Sequence, residues 1–332
     1  MMISRRQAMG TGVAALAAVS LPRWAEAKDK AKPPVEIKRP ELLTGLSQVG
    51  IFAFTVAFLT ERKASAKAGG GLLGGGFGGK STARSALVGV SDSDFQAATD
   101  AAYAHFSEQL AAAGITSVDY ASVAAHHDSN FKLLENGHER DLLESRNASG
   151  KARLFGPAAI GAPIQLQEWG DALTGGGFNF ARHMIFASQS AKAFAKASGV
   201  PAIAALLVVD FADAETYGGA FRNSSAVKVD SNLAIMGERS RIEIFAPNGK
   251  TGRIALGDDV ATSGDFGSFD DSTSGGHKAA ETVANVIGLL GGIGSNKSRR
   301  YTMTADPARW RSGLDELSRE ALTRLVQPLS TR

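Results

Sequence analysis

The chain has 332 residues, enough for one large domain or two small ones, with 44% hydrophobic residues and a formal charge of +3. It has no cysteine, which excludes disulfides, thiol catalysis, Cys-ligated metal or Fe–S sites and a lipid-modified cysteine. No Arg/Lys stripe interleaved with aromatics appears, so nucleic acid is not expected as a partner.

Residues 1–27 read as a targeting segment. Arg5-Arg6 is a twin arginine, Met9 to Leu21 is mildly apolar, and Ala25-Glu26-Ala27 has the small-x-small form of a cleavage site. The segment resembles a twin-arginine export signal, with Ala8 where a Phe is common. A general secretory signal is the alternative, and either predicts a periplasmic or secreted protein. Thirteen apolar-biased residues are too few to cross a bilayer, which takes about 20. No other run is long and apolar enough for a transmembrane helix. Removing 1–27 leaves 33 basic and 32 acidic residues, close to neutral.

Residues 28–45 are expected to be a disordered linker, charged and proline-containing. A single main domain over 46–330 follows. Val49 to Leu59 alternates Phe52, Phe54, Val56 and Phe58 on one face and predicts the first strand. Gly69 to Gly79 is a tract of Gly, Leu and Phe that reads as a loop, and Ser85 to Val90 reads as a second strand closing a long hairpin. Ser91 and Asp94 form a capping-box pattern before a helix carrying Phe95, Ala98, Ala102, Phe106 and Leu110, which Gly114 ends. Ile115 to Tyr120 predicts a short strand, Glu139–Ser145 a helix, and Ile160 to Trp169 an edge strand or loop.

Ala181 to Ser198 has helical spacing and leads into Ala202 to Val209, a continuous apolar run. Such a run with a β-branched end predicts a strand buried on both faces, hence a sheet beside it and helices over it. A meander is expected over 226–236, 239–246 and 252–257, with Asn248-Gly249 as a hairpin turn. Asp258 to Gly276 reads as an acidic loop, His277 to Leu290 as a helix, 288–294 as a second glycine-rich loop and Arg299 to Thr304 as a strand. Asp306 and Pro307 open a last helix with Trp310, Leu314, Leu317, Ala321 and Leu325 on its buried stripe. The fold class is α/β (α+β): a mixed sheet with antiparallel hairpins and helices packed on it.

No spacing predicts a catalytic, cofactor or metal site. The histidines make neither an H-x-x-x-H pair nor H-E-x-x-H, and His126-His127 reads as a solvated surface. Asp210, Asp213 and Glu215 read as a polar strand end. Gly74 and Gly79 with Lys80 and Ser81 fit a phosphate-binding loop, and Asp210 would then hold magnesium. Against it, the segment after Ser81 has strand character where a helix is required. The candidate contact residues are Leu72, Leu73, Phe77, Leu289, Leu290 and Ile293, apolar side chains within glycine-rich tracts. A protein partner or self-association would cover them, and peripheral membrane contact is compatible with them.

The order of elements carries a resemblance. The strand Ile51-Phe-Ala-Phe-Thr-Val56, the helix text Asp100-Ala-Ala-Tyr-Ala-His-Phe-Ser-Glu-Gln-Leu-Ala-Ala-Ala-Gly114, the run Gly199 to Asp213 and the Asn248-Gly249 hairpin are similar to the periplasmic α/β domain of the curli-secretion CsgG family and the N-terminal domain of TolB. The resemblance implies a non-enzymatic envelope protein whose domain serves assembly or docking. CsgG-like proteins form outer-membrane oligomers anchored by a lipidated cysteine, which this chain lacks. The alternatives are a nucleotide-binding protein using Lys80 and a periplasmic small-molecule or lipid binder.

Overall fold

The computed structural model describes residues 33–67, 80–143, 148–173, 177–217, 224–262, 264–273, 289–293 and 297–330. In chain order the first half gives β1 (Val35–Lys38), β2 (Gln48–Lys67), β3 (Lys80–Val88), α1 (Asp92–Ala112), β4 (Thr116–Ser117), α2 (Tyr120–Ala124), β5 (His138–Leu143) and β6 (Ala148–Phe155). The second half gives α3 (Gly177–Ser198), β7 (Ala202–Tyr217), β8 (Ser224–Ile235), β9 (Arg241–Phe245), β10 (Thr251–Leu256), β11 (Val260–Thr262), β12 (Gly267–Asp271), β13 (Leu289–Ile293), β14 (Lys297–Ala305) and α4 (Pro307–Ser330). The architecture is mixed α/β, with one large mixed sheet and helices packed on it. Its main path runs β1-β10-β9-β7-β2-β3-β14-β12.

The centre is the parallel pair β2–β7, which runs from Gly50 opposite Ala202 to Phe58 opposite Val209 with one register shift between Ile51 and Ala53. Ala202 to Val209 is buried throughout, as its unbroken apolar run predicts. Phe54 lies 5.5 Å from Tyr103 and 5.4 Å from Phe106 of α1. Phe58 lies 4.6 Å from Phe95 of α1 and 5.8 Å from Trp310 of α4. Those helices therefore cover one face. On the other, α3 buries Ala187, Ala191, Phe194 and Ala195. At Gly50 a Cβ would come within 2.3 Å of the Phe194 ring, so only glycine lets β2 and α3 approach this closely. Thr55 also faces this side. Its hydroxyl donates to Ile164 O (2.7 Å) and accepts from Ile164 N (3.1 Å), pinning the 160–169 segment as a buried loop ending in a 3₁₀ turn at Gln167–Trp169.

Two of the three long helices, α1 and α4, start as their sequences dictate. Ser91 and Asp94 form a reciprocal capping box on α1. Asp306 accepts from the backbone N–H of Ala308 and Arg309, each at 3.0 Å, ahead of Pro307. Trp310, Leu314, Leu317, Ala321 and Leu325 are all buried.

Several expectations are corrected. The linker expected over 28–45 is folded from residue 33: β1 pairs with β10 and Leu43 is fully buried. The helix expected at Glu139–Ser145 is strand β5. Glu139 and Asp141 are exposed while Arg140 and Leu142 are buried, a period of two imposed by pairing with β6. The strand at 115–120 shrinks to the two residues of β4. The acidic 258–276 segment contains β11 and β12. Within the 288–294 tract Leu289–Ile293 forms β13, antiparallel to β8, so the helix expected over His277 to Leu290 is a strand at Leu289 and Leu290, and its residues 277–288 lie outside the described residues. The Asn248-Gly249 hairpin joins β9 and β10, with Gly249 at φ +80°. The expected meander fails at its first strand, because β8 pairs with β7 and not β9.

β2 and β7 do not stay together. From Glu61 onward β2 pairs with β3, ending with Lys67 opposite Lys80, while β7 runs on with β8. Both strands are irregular where they part: the β2–β6 register shifts between Leu59 and Glu61, and the β7–β8 register between Asp210 and Ala212. Arg62 and Asp210 form an ion pair across this fork, each with a side chain 10% exposed. Asp210 Oδ1 also accepts from the backbone N–H of Phe211 (2.8 Å) and Ala212 (3.3 Å), which lie at the irregularity. Asp210→Ala removes the partner of a nearly buried guanidinium and an acceptor for two N–H groups. It should lower unfolding free energy by about 3–5 kcal/mol in urea melts. A loss under about 1 kcal/mol, the range of exposed pairs, would show that the pair does not hold the fork.

Candidate functional site

Two charged regions stand out, and their chemistry differs. The first is a cavity of about 410 Å³ lined by Glu36, Lys38, Asp171, Glu238, Arg239, Arg241, Arg253 and Ala255. Register alone assembles part of it, since Lys38, Arg253 and Glu243 are successive neighbours across β1, β10 and β9. Arg241, almost fully buried, donates to Asp171 Oδ1 (2.6 Å), Glu238 O (2.5 Å) and Arg239 O (3.2 Å). Arg253 donates to Glu243 Oε1 (2.5 Å), Glu168 O (2.8 Å) and Asp171 Oδ2 (3.4 Å). Lys192 of α3 reaches Glu168 Oε1 at 3.0 Å. Each nitrogen of both guanidiniums donates at least one hydrogen bond, so the cluster ties the 166–173 loop to the β9–β10 hairpin.

Protonation in this cluster follows burial. Burial raises the Glu243 carboxyl to about 7 against the pull of Arg253 and Arg241. At Asp171 burial acts upward too, but Arg241 and Arg253 outweigh it and hold the group below the ordinary value. Elsewhere burial lowers His183 to about 4.

The second region lies on the hairpin side of the fork. It is a groove of about 580 Å³ across β5, β6, β2, β3 and β14. Leu142, Gly150, Arg62, Ser85 and Tyr301 form one register row, whose side chains turn inward. The alternate rows face out: Asp141, Lys151, Glu61, Ala86 and Thr302 in one, Ser149, Lys63, Arg84 and Arg300 in the next. Small residues make the floor and long charged ones the rim. Lys63, Arg84 and Arg300 are exposed.

The predicted site residues do not converge. Leu72, Leu73, Gly74, Phe77 and Gly79 lie outside the described residues. Lys80 and Ser81 open strand β3, so no helix start follows the glycines to receive a phosphate. Lys80 pairs with Lys67, whereas Asp210 lies near Thr60, which puts the two about 25 Å apart along the strands. Asp210 is occupied by Arg62. It is mid-strand, not at a strand end, because β7 continues through Asp213 and Glu215 to Tyr217. Leu289, Leu290 and Ile293 pair in backbone register with Lys228, Val227 and Ser224.

His126-His127 is not a solvated pair either. His127 packs against Phe131 (4.9 Å), Phe52 (5.4 Å) and Tyr120 (6.2 Å) and is lowered from its ordinary value by burial. Among the described residues no group of His, Asp or Glu is arranged to hold a metal ion. The Arg241–Glu243–Arg253 cluster and the cation row escaped sequence reasoning. The first lies within one hairpin and the second spans β2, β3 and β14, and in both it is strand register that sets the members opposite one another.

Neither the family models, the curated proteins nor the solved structures contain a match to this chain.

The pH sign at Glu243 is testable. Between pH 4.5, its ordinary value, and about 7 the folded chain holds a proton that the unfolded chain has lost. Its contribution to stability is thus complete below pH 4.5 and disappears as pH rises to about 7. His183 runs the opposite way, losing stability as pH falls from 6.5 to about 4. The stability of the wild type relative to Glu243→Gln, from denaturant melts, should fall as pH rises across 4.5–7. A difference that stays level across that window would mean Glu243 is ionised throughout.

Proposed function

We propose that this protein is an exported, non-enzymatic component of the bacterial cell envelope that acts as an assembly or docking module. One observation supports the reading most. The β2–β3 hairpin leaves the helix-covered centre of the sheet at the fork and continues to the Lys67–Lys80 pair, about 30 Å beyond Phe58. The segment joining those lysines carries Leu72, Leu73 and Phe77 among glycines. Apolar side chains at the end of a hairpin suit burial against a second chain. The outer edges of β5 and β12 have no partner strand among the described residues and flank this hairpin, giving a second copy backbone groups to pair with. Export is read from residues 1–27. Among the described residues no helix is long and apolar enough to cross a membrane.

Light scattering after size exclusion tests the assembly reading. The wild type should run as an oligomer. Replacing Leu72, Leu73 and Phe77 by Ser, which keeps the chain length, should give monomers with an unchanged far-UV CD spectrum. A monomeric wild type, or an oligomer that survives the triple change, overturns it. For export, the protein recovered from the envelope should begin at Lys28 by intact mass; a retained Met1 would contradict processing.

A further inference from the structure

The cation row on the open face of the hairpin is costly as it stands. Lys63 is directly opposite Arg84, and Arg84 directly opposite Arg300, on three adjacent strands. Like charges in directly opposed sheet positions destabilise pairing. No carboxylate among the described residues pairs with Lys63, Arg84 or Arg300. The nearest acid of the neighbouring row, Glu61, is engaged by Lys151 at 3.8 Å. Asp141 is the other acid on the groove. With strands about 4.8 Å apart, the three charges form a line about 10 Å long. They stand above the shallow floor made by Ala86, Thr302 and Ser149.

We propose that this groove docks the protein on a membrane surface through anionic phosphodiester headgroups. Charge complementarity gives the sign of the occupant, because an anion between the three cations removes a repulsion that the fold otherwise carries. The flat, linear presentation suits an array of headgroups better than one enclosed anion. Clustered exposed Lys and Arg side chains are the pattern by which proteins bind anionic bilayer surfaces. This inference stands apart from the assembly reading, since it concerns the exposed face of the hairpin and not its contacts with another chain.

Flotation with phosphatidylcholine vesicles, with and without phosphatidylglycerol, tests it. The protein should float with the anionic vesicles, not with the neutral ones, and high salt should release it. Replacing Lys63, Arg84 and Arg300 by Ala should weaken binding about fivefold per residue and about a hundredfold together. It should not lower the melting temperature, because the change relieves repulsion. A second variant with Arg309, Arg311 and Arg319 of α4 changed to Ala loses the same formal charge elsewhere and should still bind. The proposal is overturned by absence of vesicle binding, by equal binding to neutral vesicles, or by an equal loss in the α4 variant. It is also overturned by a groove that takes inorganic phosphate in calorimetry while vesicles are ignored. Light scattering of the groove variant separates the two ideas: its oligomeric mass should match the wild type.

Discussion

Two parallel strands can remain side by side only while both their faces are covered. That constraint governs this molecule. From Gly50 to Phe58 and from Ala202 to Val209 the strands are apolar on both faces apart from the hydrogen-bonded Thr55, and α1 and α4 on one side and α3 with its loop on the other supply the cover. Beyond that point charged residues enter, Arg62 and Lys63 in β2 and Asp210 and Asp213 in β7. Each strand then takes an antiparallel partner of its own. Antiparallel hairpins tolerate one wet face, which parallel pairs do not. The fork follows from where the apolar runs end.

The Arg62–Asp210 pair occupies the place where the change happens. At the β7 register shift the carboxylate accepts from two backbone N–H groups while neutralising the arginine. A charge at that depth is tolerable only when paired and hydrogen-bonded. The fork therefore rests on one acid serving three donors.

The other charges sort by the same rule. Arg241, Arg253, Glu243 and Asp171 are gathered under a loop with every guanidinium nitrogen engaged, and they act as a latch. Lys63, Arg84 and Arg300 are exposed and opposed to one another. The latched arginines are held by acceptors of their own chain, whereas no carboxylate among the described residues pairs with the exposed row.

Local chemistry was legible wherever it suffices by itself. The capping box of α1, the Asp306 cap of α4, the apolar stripes of both helices, the Asn248-Gly249 turn and the doubly buried run at 202–209 all follow from neighbours within a few residues. The α/β class follows from them, because a strand buried on both faces requires helices. The β5 strand was not legible, since its polar, helix-compatible sequence takes a period of two only through pairing with β6. Nor was the choice of β7 over β9 as the partner of β8. Neither charged region could be read, as Lys63 meets Arg84 and Arg300 only through the register of three strands drawn from distant parts of the chain. Sequence order determines which residues are charged or apolar and which helices start where. Long-range strand pairing decides which of them meet, because register carries no signature within a single strand.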